Sequence, residues 1–412
     1  MLHKNNTMAM LFRRKFIYVP TFFGWLLIIC ILITGAYLSL RHTYSFLAAS
    51  KPAKSKILVL EGWIDEKCVQ NAIDLYRANG YEYLVVTGVP ITQWTYSSPF
   101  SNMADATAGS IRRMYFKDSI YKAIVPSAVL RDRTYSTAVA LKMNMEKWNF
   151  PYKDFDLYTV GAHARRSYLV YKKAFNDGRY IGLIVDTDPS FEPEDWYNTS
   201  RGFRIVLSEL ISYFYSLLFF HPDEEQFKKL ITDGFYFDKI QQVRLDTDNE
   251  FADIRQSPLD SVNVPEFSGL KYYPIDPSYL VKAAFTVDTT SPPFEMQTSK
   301  TRRPMYRKYG LIKFTLRDTS FVLAAYQNLD YLKTHPDYKE LFVPFKDKTN
   351  GKTTYGAGRY LDIPIPATDS VVIDFNLAYN PYCAYAERWS CPLTPMENYL
   401  ETRIEAGVLN YH

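Results

Sequence analysis

The chain has 412 residues, of which 47% are hydrophobic and 22% charged, so it is long enough for two or three packed domains. The formal net charge of only +4 excludes the broad basic surface that is typical of nucleic-acid-binding proteins. Any charge that binds a ligand must therefore be local.

The N-terminal segment is predicted to be a membrane anchor. Residues 16–40 carry no charged side chain, and such a helix, at about 1.5 Å per residue, crosses a hydrocarbon core of roughly 30 Å. Arg13, Arg14 and Lys15 precede this run and Arg41 alone directly follows it, which predicts a cytoplasmic segment at residues 1–15 and an exported body. A cleaved signal peptide is the alternative interpretation.

Residues 55–220 alternate between strand-like and helix-like patterns. Apolar runs near 56–60, 83–87, 121–125, 156–160 and 180–185 predict five strands with helices between them. This alternation predicts a Rossmann-like α/β domain, with a parallel sheet, helices on both faces and ligands at the carboxyl ends of the strands. The segment 89–103 is predicted to be an insertion or lid, and 203–220 a helix that packs on the sheet, with additional contact to the bilayer surface as an alternative.

The remainder of the chain has a different character. Residues 221–249 are more highly charged and predict a partly helical linker. Residues 250–412 contain short β-type runs near 280–286, 310–316 and 370–375, separated by turn signals. They predict a mostly antiparallel β domain.

Two basic segments follow predicted strands of the α/β domain. Residues 131–135 read Arg-Asp-Arg-Thr-Tyr and residues 161–167 read Gly-Ala-His-Ala-Arg-Arg-Ser. Backbone N–H groups at a helix N-terminus carry partial positive charge, and guanidinium groups beside them suit a phosphate or another anion. An ordinary solvated side chain is the alternative for each arginine. The candidate ligand-binding residues are Arg131, Arg133, Thr134, Arg165, Arg166 and Ser167.

His163 and Glu61 are the candidate catalytic residues. Imidazole exchanges protons near neutral pH, so His163 would act as a general acid or base beside a bound phosphate; a hydrogen-bonded turn residue is the alternative. Glu61 ends the first predicted strand, where it would orient His163, bind a metal or contact a ligand hydroxyl. Asp132 is expected to pair with an arginine or to cap the next helix, and Thr134 is a second capping candidate.

Several common motifs are missing from the sequence. It contains no P-loop, no nucleophile elbow around a serine and no His-Glu-x-x-His motif, which disfavours several hydrolase classes. The sequence identifies no cofactor and no metal site.

The two basic segments, together with Glu61-Gly62-Trp63 and a Glu209 before an aromatic run, resemble the bacterial SanA/YdcF/ElyC family, domain of unknown function 218. The resemblance covers residues 55–216. It implies a membrane-anchored protein linked to envelope integrity, since ElyC is tied to peptidoglycan and undecaprenyl-phosphate metabolism. Many members have a Gly-rich turn where this chain has Glu-Gly-Trp, which argues against contact with a nucleotide phosphate at that loop.

Residues 354–362 and 374–385, followed by Cys391-Pro392 and Glu397-Asn398, resemble a second bacterial family, domain of unknown function 1684. This resemblance covers about residues 250–412 and implies no activity. Polar residues set among aromatics here predict either a carbohydrate or peptide pocket or a buried hydrogen-bond network that fixes turns. They are Arg359, Asp362, Asp374, Asn376, Asn380 and Glu397.

Two of the four cysteines are close in sequence. Cys383 and Cys391 would form a disulfide in an oxidising periplasm, and two buried free thiols are the alternative.

Together these features predict a single-pass protein of the bacterial inner membrane with periplasmic C-terminal domains. Its α/β domain is expected to bind a phosphorylated envelope intermediate of the undecaprenyl-phosphate type. Catalysis is left open, and hydrolysis or transfer of a phosphoryl group is the favoured reaction class. The expected partners are the lipid bilayer, this anionic intermediate and envelope assembly proteins, and not nucleic acid.

Two alternative functions remain. One is a non-catalytic scaffold or sensor of the envelope. The other, which the resemblance implies through the association of YdcF with S-adenosylmethionine, is binding of S-adenosylmethionine or a nucleotide; the lack of a Gly-x-Gly-x-x-Gly turn disfavours it.

Overall fold

The structure, a computed structural model, describes residues 19–91, 100–114 and 116–411. Residues 1–15, predicted to be cytoplasmic, and the central part of the predicted lid at 89–103 lie outside the described residues. The chain divides into two compact units between Ile231 and Thr232, and the short segment Pro126–Ala128 clusters with the second unit.

A long apolar helix, α1 (Phe22–Leu47), opens the described part of the chain. The Thr21 side chain caps it, accepting a hydrogen bond of 3.2 Å from the backbone N–H of Gly24. The predicted span was 16–40, whereas the helix begins at Phe22 and continues past Arg41. Among the described residues, α1 is the one helix long and apolar enough to cross a membrane, a property that signal sequences share.

Five parallel strands form the sheet of the N-terminal unit, as predicted, and the structure gives their order as β3-β2-β1-β4-β5. Short 3₁₀ turns at Gly161–His163 and Pro193–Asn198 precede α5 and α6. The elements are β1 (Ile57–Glu61), α2 (Glu66–Ala78), β2 (Tyr83–Gly88), α3 (Met103–Arg113), β3 (Ile120–Ile124), α4 (Arg133–Trp148), β4 (Phe155–Val160), α5 (Ala164–Ala174), β5 (Ile181–Asp186) and α6 (Ser200–Leu218).

The central strand β1 is buried on both faces. Ile57 and Val59 belong to one hydrophobic core, which α4 and α5 complete, while Leu58 and Leu60 belong to a second core with α2 and α3. The chain leaves β1 toward β2 on one side, and β4 lies on the other side. This reversal of strand order opens a crevice at the carboxyl ends of β1 and β4, where ligands bind in open α/β sheets.

The C-terminal unit is built on a second, mostly antiparallel sheet, again as predicted. Its strand order is β11-β10-β9-β8-β6-β12, with β7 paired to β8 and β13 running parallel to β10. Most of the segment 221–249 forms the helix α7 (Glu224–Ala252). The other elements are β6 (Leu280–Val287), β7 (Phe294–Glu295), β8 (Met305–Leu316), β9 (Thr319–Asn328), α8 (Leu329–Thr334), β10 (Glu340–Asp347), β11 (Arg359–Pro364), β12 (Ser370–Asp374) and β13 (Tyr399–Leu400).

One face of this second sheet covers a hydrophobic core. Val281, Ala283 and Phe285 alternate with exposed residues along β6, and they pack in the same cluster as Ile312 and Leu323 from the neighbouring strands. Side chains alternate between the two faces of a strand, so this pattern gives a half-buried sheet.

Candidate functional site

A cavity of about 730 Å³ lies in the N-terminal unit at the carboxyl edge of the parallel sheet. Glu61, Gly88 and Val160 line it from the ends of β1, β2 and β4. The first turn of α4, the start of α5 with the turn before it, and one side of α6 supply much of the remaining wall. The crevice expected from the strand order is therefore present as an open space of ligand size.

Glu61 is held rigidly at the end of β1. Its side chain is buried and accepts hydrogen bonds from the hydroxyls of Thr159 and Ser167, the latter at 3.0 Å. A Cβ on the next residue, Gly62, would lie 2.5 Å from the Thr87 carbonyl oxygen, so only glycine permits this close approach to β2. Ser167, a predicted ligand-binding residue, thus holds Glu61 and is not part of the cavity wall.

His163 reaches the cavity because the backbone turns sharply after β4. Gly161 has a φ of +58°, a left-handed conformation that strains any residue with a Cβ. The His163 ring contacts Trp63 edge-on, with ring centroids 4.8 Å apart. Its Nε2 lies 3.9 Å from the Glu61 carboxylate, so both candidate catalytic residues lie together in the cavity wall.

Glu209 of α6 orients this histidine. Its Oε1 lies 2.9 Å from His163 Nδ1, and its Oε2 accepts a hydrogen bond of 2.7 Å from Arg166 Nε. Burial raises the pKa of Glu209, but the hydrogen bonds from His163 and Arg166 outweigh burial and lower that pKa to about 2. Glu209 is therefore ionised and only accepts hydrogen bonds.

The ionised Glu209 assigns the tautomer of His163. Arg166 Nη2 also lies 2.9 Å from Nδ1, and a neutral Nδ1 without hydrogen would accept from it. That tautomer would set a nitrogen lone pair against a carboxylate oxygen at 2.9 Å, which is repulsive. The other tautomer sets Nδ1–H near an N–H of Arg166, but Arg166 Nη2 can donate to Glu209 Oε1 instead, at 3.1 Å. We therefore assign the proton to Nδ1, which leaves the Nε2 lone pair available for proton transfer.

The predicted arginines separate into two pairs. Arg133 and Arg166 line the cavity, together with Thr134, whose hydroxyl accepts a hydrogen bond of 3.4 Å from Arg166. Arg165 instead stacks its guanidinium 4.0 Å from the ring centroid of Phe46 in α1. Successive helical residues point about 100° apart, so Arg165 and Arg166 face different neighbours.

Arg131 is the second arginine that does not line the cavity. Its guanidinium lies 5.6 Å from the ring centroid of Phe227. Asp132 does line the cavity and occupies the N-cap position of α4, but its side chain makes no capping hydrogen bond. Its φ of +46° is strained for a residue other than glycine.

Sequence reasoning gave no site role to three charged residues of the wall, Asp188, Arg201 and Glu209, and named only Glu209, as part of a family resemblance. Arg201 lies in the first turn of α6, and Glu209 is the only acidic residue of that largely apolar helix. An isolated carboxylate inside an apolar helix was the available signal for Glu209. Within the described ranges, neither Arg133 nor Arg201 forms an ion pair, although Asp132 and Asp188 also line the cavity.

The described residues contain no group of three or more His, Cys, Asp or Glu side chains arranged to hold a metal ion.

The six polar residues singled out in the C-terminal unit do not meet in one pocket. Arg359 is buried and donates to Asp347 at 2.8 Å and to the backbone carbonyls of Ile404 and Ala406. It forms a buried ion pair and secures the chain after β13.

The other five residues have separate local partners. Asp374 and Asn376 share the Tyr236 hydroxyl, at 2.9 and 2.8 Å. Asp362 accepts from Tyr379, Asn380 donates to the Leu409 carbonyl, and Glu397 accepts from Tyr326 and Lys308. These contacts resemble the alternative that the sequence also predicted, a hydrogen-bond network that fixes turns, more than a pocket.

Cys383 and Cys391 are free thiols in direct contact. The backbone N–H of Cys383 donates to Cys391 Sγ at 3.1 Å, and the Tyr355 hydroxyl lies 3.8 Å from Cys383 Sγ. The hydrogen bond from the Cys391 thiol, helped by Tyr355, lowers the pKa of Cys383 to about 6.

Comparison with known proteins finds a family match for one part of the chain. Residues 265–409 match the family described as "Protein of unknown function (DUF1684)". An uncharacterized protein of Haloarcula marismortui, solved by solution NMR, is 36% identical over 42% of this chain and 94% of its own, with a TM-score of 0.35. No curated protein matches this chain.

Proposed function

We propose that this chain, whose residues 265–409 match the DUF1684 family, binds a phosphorylated, lipid-linked envelope intermediate in the cavity of its N-terminal unit. In this proposal α1 is a retained anchor in a bacterial inner membrane, the two units are periplasmic, and the ligand is of the undecaprenyl-phosphate type. The matched family has no assigned function, so the proposal rests on the N-terminal unit and on its resemblance to the SanA/YdcF/ElyC family.

The observation that carries the proposal is the charge arrangement of the cavity wall. Arg133 and Arg201 have no ion pair in the part of the chain described, and both line the cavity that contains His163. Arg133 is also the first residue of α4, so the partial positive charge of the helix N-terminus adds to its guanidinium. A phosphate held there would lie beside an imidazole that Glu209 orients.

The same arrangement supports proton transfer. With the proton of His163 on Nδ1, Nε2 would take a proton from an attacking water or hydroxyl and later return it to the leaving oxygen. Glu209, held ionised, would stabilise the intermediate imidazolium. Phosphoryl hydrolysis or transfer is the reaction class that these roles favour, and an anchored protein stays beside a lipid substrate.

Calorimetric titration of the full-length protein in detergent tests the binding step. Farnesyl phosphate, a short soluble polyprenyl phosphate, is expected to bind at least about ten-fold more tightly than farnesol. The double variant Arg133→Ala, Arg201→Ala is expected to lose about ten-fold in affinity. Arg131→Ala is the matched control, because it removes a nearby charge outside the cavity wall. Equal affinity for the alcohol and the phosphate would contradict the proposal.

The histidine separates an enzyme from a scaffold or sensor. If the protein hydrolyses the phosphate ester, His163→Ala should abolish release of inorganic phosphate while the affinity for farnesyl phosphate changes by less than about three-fold. A scaffold would release no phosphate in either form and would keep its role in cells after the substitution.

A further inference from the structure

The outer side of α6 carries a row of exposed apolar residues. Phe203, Ile211, Phe214 and Leu218 recur at helical spacing and are 43%, 70%, 46% and 59% exposed. Phe219, directly after the helix, is 73% exposed. Soluble surfaces seldom keep large apolar side chains uncovered in one continuous row.

The inner side of the same helix has the opposite character. Glu209, Ser212 and Ser216 line the cavity, and Glu209 is the only acidic residue between 200 and 220. The outer side therefore carries no negative charge. Arg204 is the exposed charged residue of α6 that does not line the cavity, since Arg201 belongs to the cavity wall. An apolar face flanked by an arginine and free of acidic residues suits the interface of a bilayer that contains anionic lipids.

Helix α6 is also joined to the end of α1. Tyr44 and Leu47, in the last turn of α1, pack in one cluster with Val206 of α6. The ring of Phe46 meets that of Tyr213, with centroids 5.7 Å apart. If α1 crosses the bilayer, these contacts place α6 where α1 leaves the hydrocarbon, a depth at which aromatic side chains are enriched.

We propose that the outer face of α6 lies in the membrane interface, so that one helix separates the lipid from the cavity. The inference rests on the part of the proposed function that retains α1 as an anchor, and not on the identity of the ligand. A lipid-linked phosphate would then reach the cavity along the bilayer surface without leaving the lipid phase. The inner face of α6 would line the cavity, and its outer face would contact the lipid.

Site-specific photocrosslinking tests this placement in the full-length protein, reconstituted into vesicles of phosphatidylethanolamine and phosphatidylglycerol. The photoreactive residue p-benzoylphenylalanine replaces Phe214 on α6, Leu32 in α1 or Tyr152 in separate variants. Leu32 is 65% exposed within the proposed span. Tyr152 is 36% exposed and precedes β4, so it lies at the opposite edge of the parallel sheet. Mass spectrometry then measures the fraction of chains that carry a lipid adduct.

We expect the lipid-adduct fraction at position 214 to exceed that at position 152 by about five-fold or more and to fall within about three-fold of that at position 32. Adducts at position 214 no more frequent than at 152, with position 32 labelled, would overturn this inference and leave the anchor intact. Crosslinks between two chains in place of lipid adducts at 214 would overturn it as well. Loss of lipid adducts at position 32 would refute the anchor, and this inference with it. A second probe at Ile211 guards against a local folding defect at Phe214.

Discussion

Glu209 binds His163 and Arg166 at the same time, with Oε1 2.9 Å from His163 Nδ1 and Oε2 2.7 Å from Arg166 Nε. The carboxylate therefore neutralises the one arginine that lies next to the histidine. The cations left to meet an anionic ligand are Arg133 and Arg201, which come from the first turns of two other helices.

Glu209→Gln is expected to tighten the binding of anions. The substitution keeps the size of the side chain but frees the charge of Arg166 toward the cavity, so the affinity for farnesyl phosphate should rise about three- to ten-fold. Titration calorimetry of the full-length protein measures this change. Glu146→Gln, which removes an exposed charge at the far end of α4, is the control and should change the affinity by less than about two-fold. Weaker binding by Glu209→Gln would show that the carboxylate itself supports the ligand.

The low pKa of Glu209 makes the N-terminal unit sensitive to acid. Because this pKa falls from 4.5 to about 2 on folding, the stabilisation is complete above pH 4.5 and is lost as the pH falls toward 2. It amounts to at most about 3 kcal/mol. Hydrogen exchange of β4 peptides should report a fall in opening free energy across this pH range, and Glu209→Gln should flatten that fall. An equal fall in both proteins would refute the assignment.

Gly161→Ala is expected to destabilise the turn that carries His163. A Cβ there would lie 3.1 Å from the Asp188 Cβ, in addition to the cost of a positive φ, so the free energy of unfolding should fall by about 1–3 kcal/mol. Gly178→Ala is a matched control, because its φ is +85° but no atom lies within 4 Å of the added Cβ. Urea unfolding compares the two variants. If they lose the same stability, the contact with Asp188 has no effect.

Cys383 is expected to be the reactive thiol of the reduced protein. Its pKa of about 6 keeps it mainly ionised at neutral pH, so alkylation by iodoacetamide should reach half its maximal rate near pH 6 and decline below it. Burial raises the pKa of Cys68 to about 12, so that thiol is an internal control and should stay unmodified. Peptide mass spectrometry follows both sites. Tyr355→Phe should move the midpoint for Cys383 upward, and an unchanged midpoint would exclude a contribution from Tyr355.

The parallel sheet and the meeting of Glu61 with His163 could be predicted from the sequence. Each residue follows an apolar run of strand length, and the carboxyl ends of parallel strands share one edge of a sheet. The antiparallel character of the C-terminal unit was visible for a similar reason, since short alternating runs such as β6 bury only one face.

The sequence did not predict toward which neighbour each arginine side chain points. Arg165 and Arg166 are adjacent and chemically identical. Their contacts differ because Phe46 lies on one side of α5 and Glu209 on the other. Both partners come from distant parts of the chain. Arg201 was missed because a basic residue at the start of an apolar helix has no local pattern that connects it to a crevice built by β1 and β4.

The burial of Tyr44 and Leu47 determines how the protein can be shortened for laboratory work. These side chains cover Trp196 and Phe191, and beside them Arg165 donates a hydrogen bond to the backbone carbonyl of Phe46. A recombinant fragment starting at Ala53 would expose this cluster. The resulting apolar patch, a few residues from His163, would promote aggregation. A fragment starting near Leu40 would lack most of the apolar helix α1 but would keep its final turns, which cover the cluster.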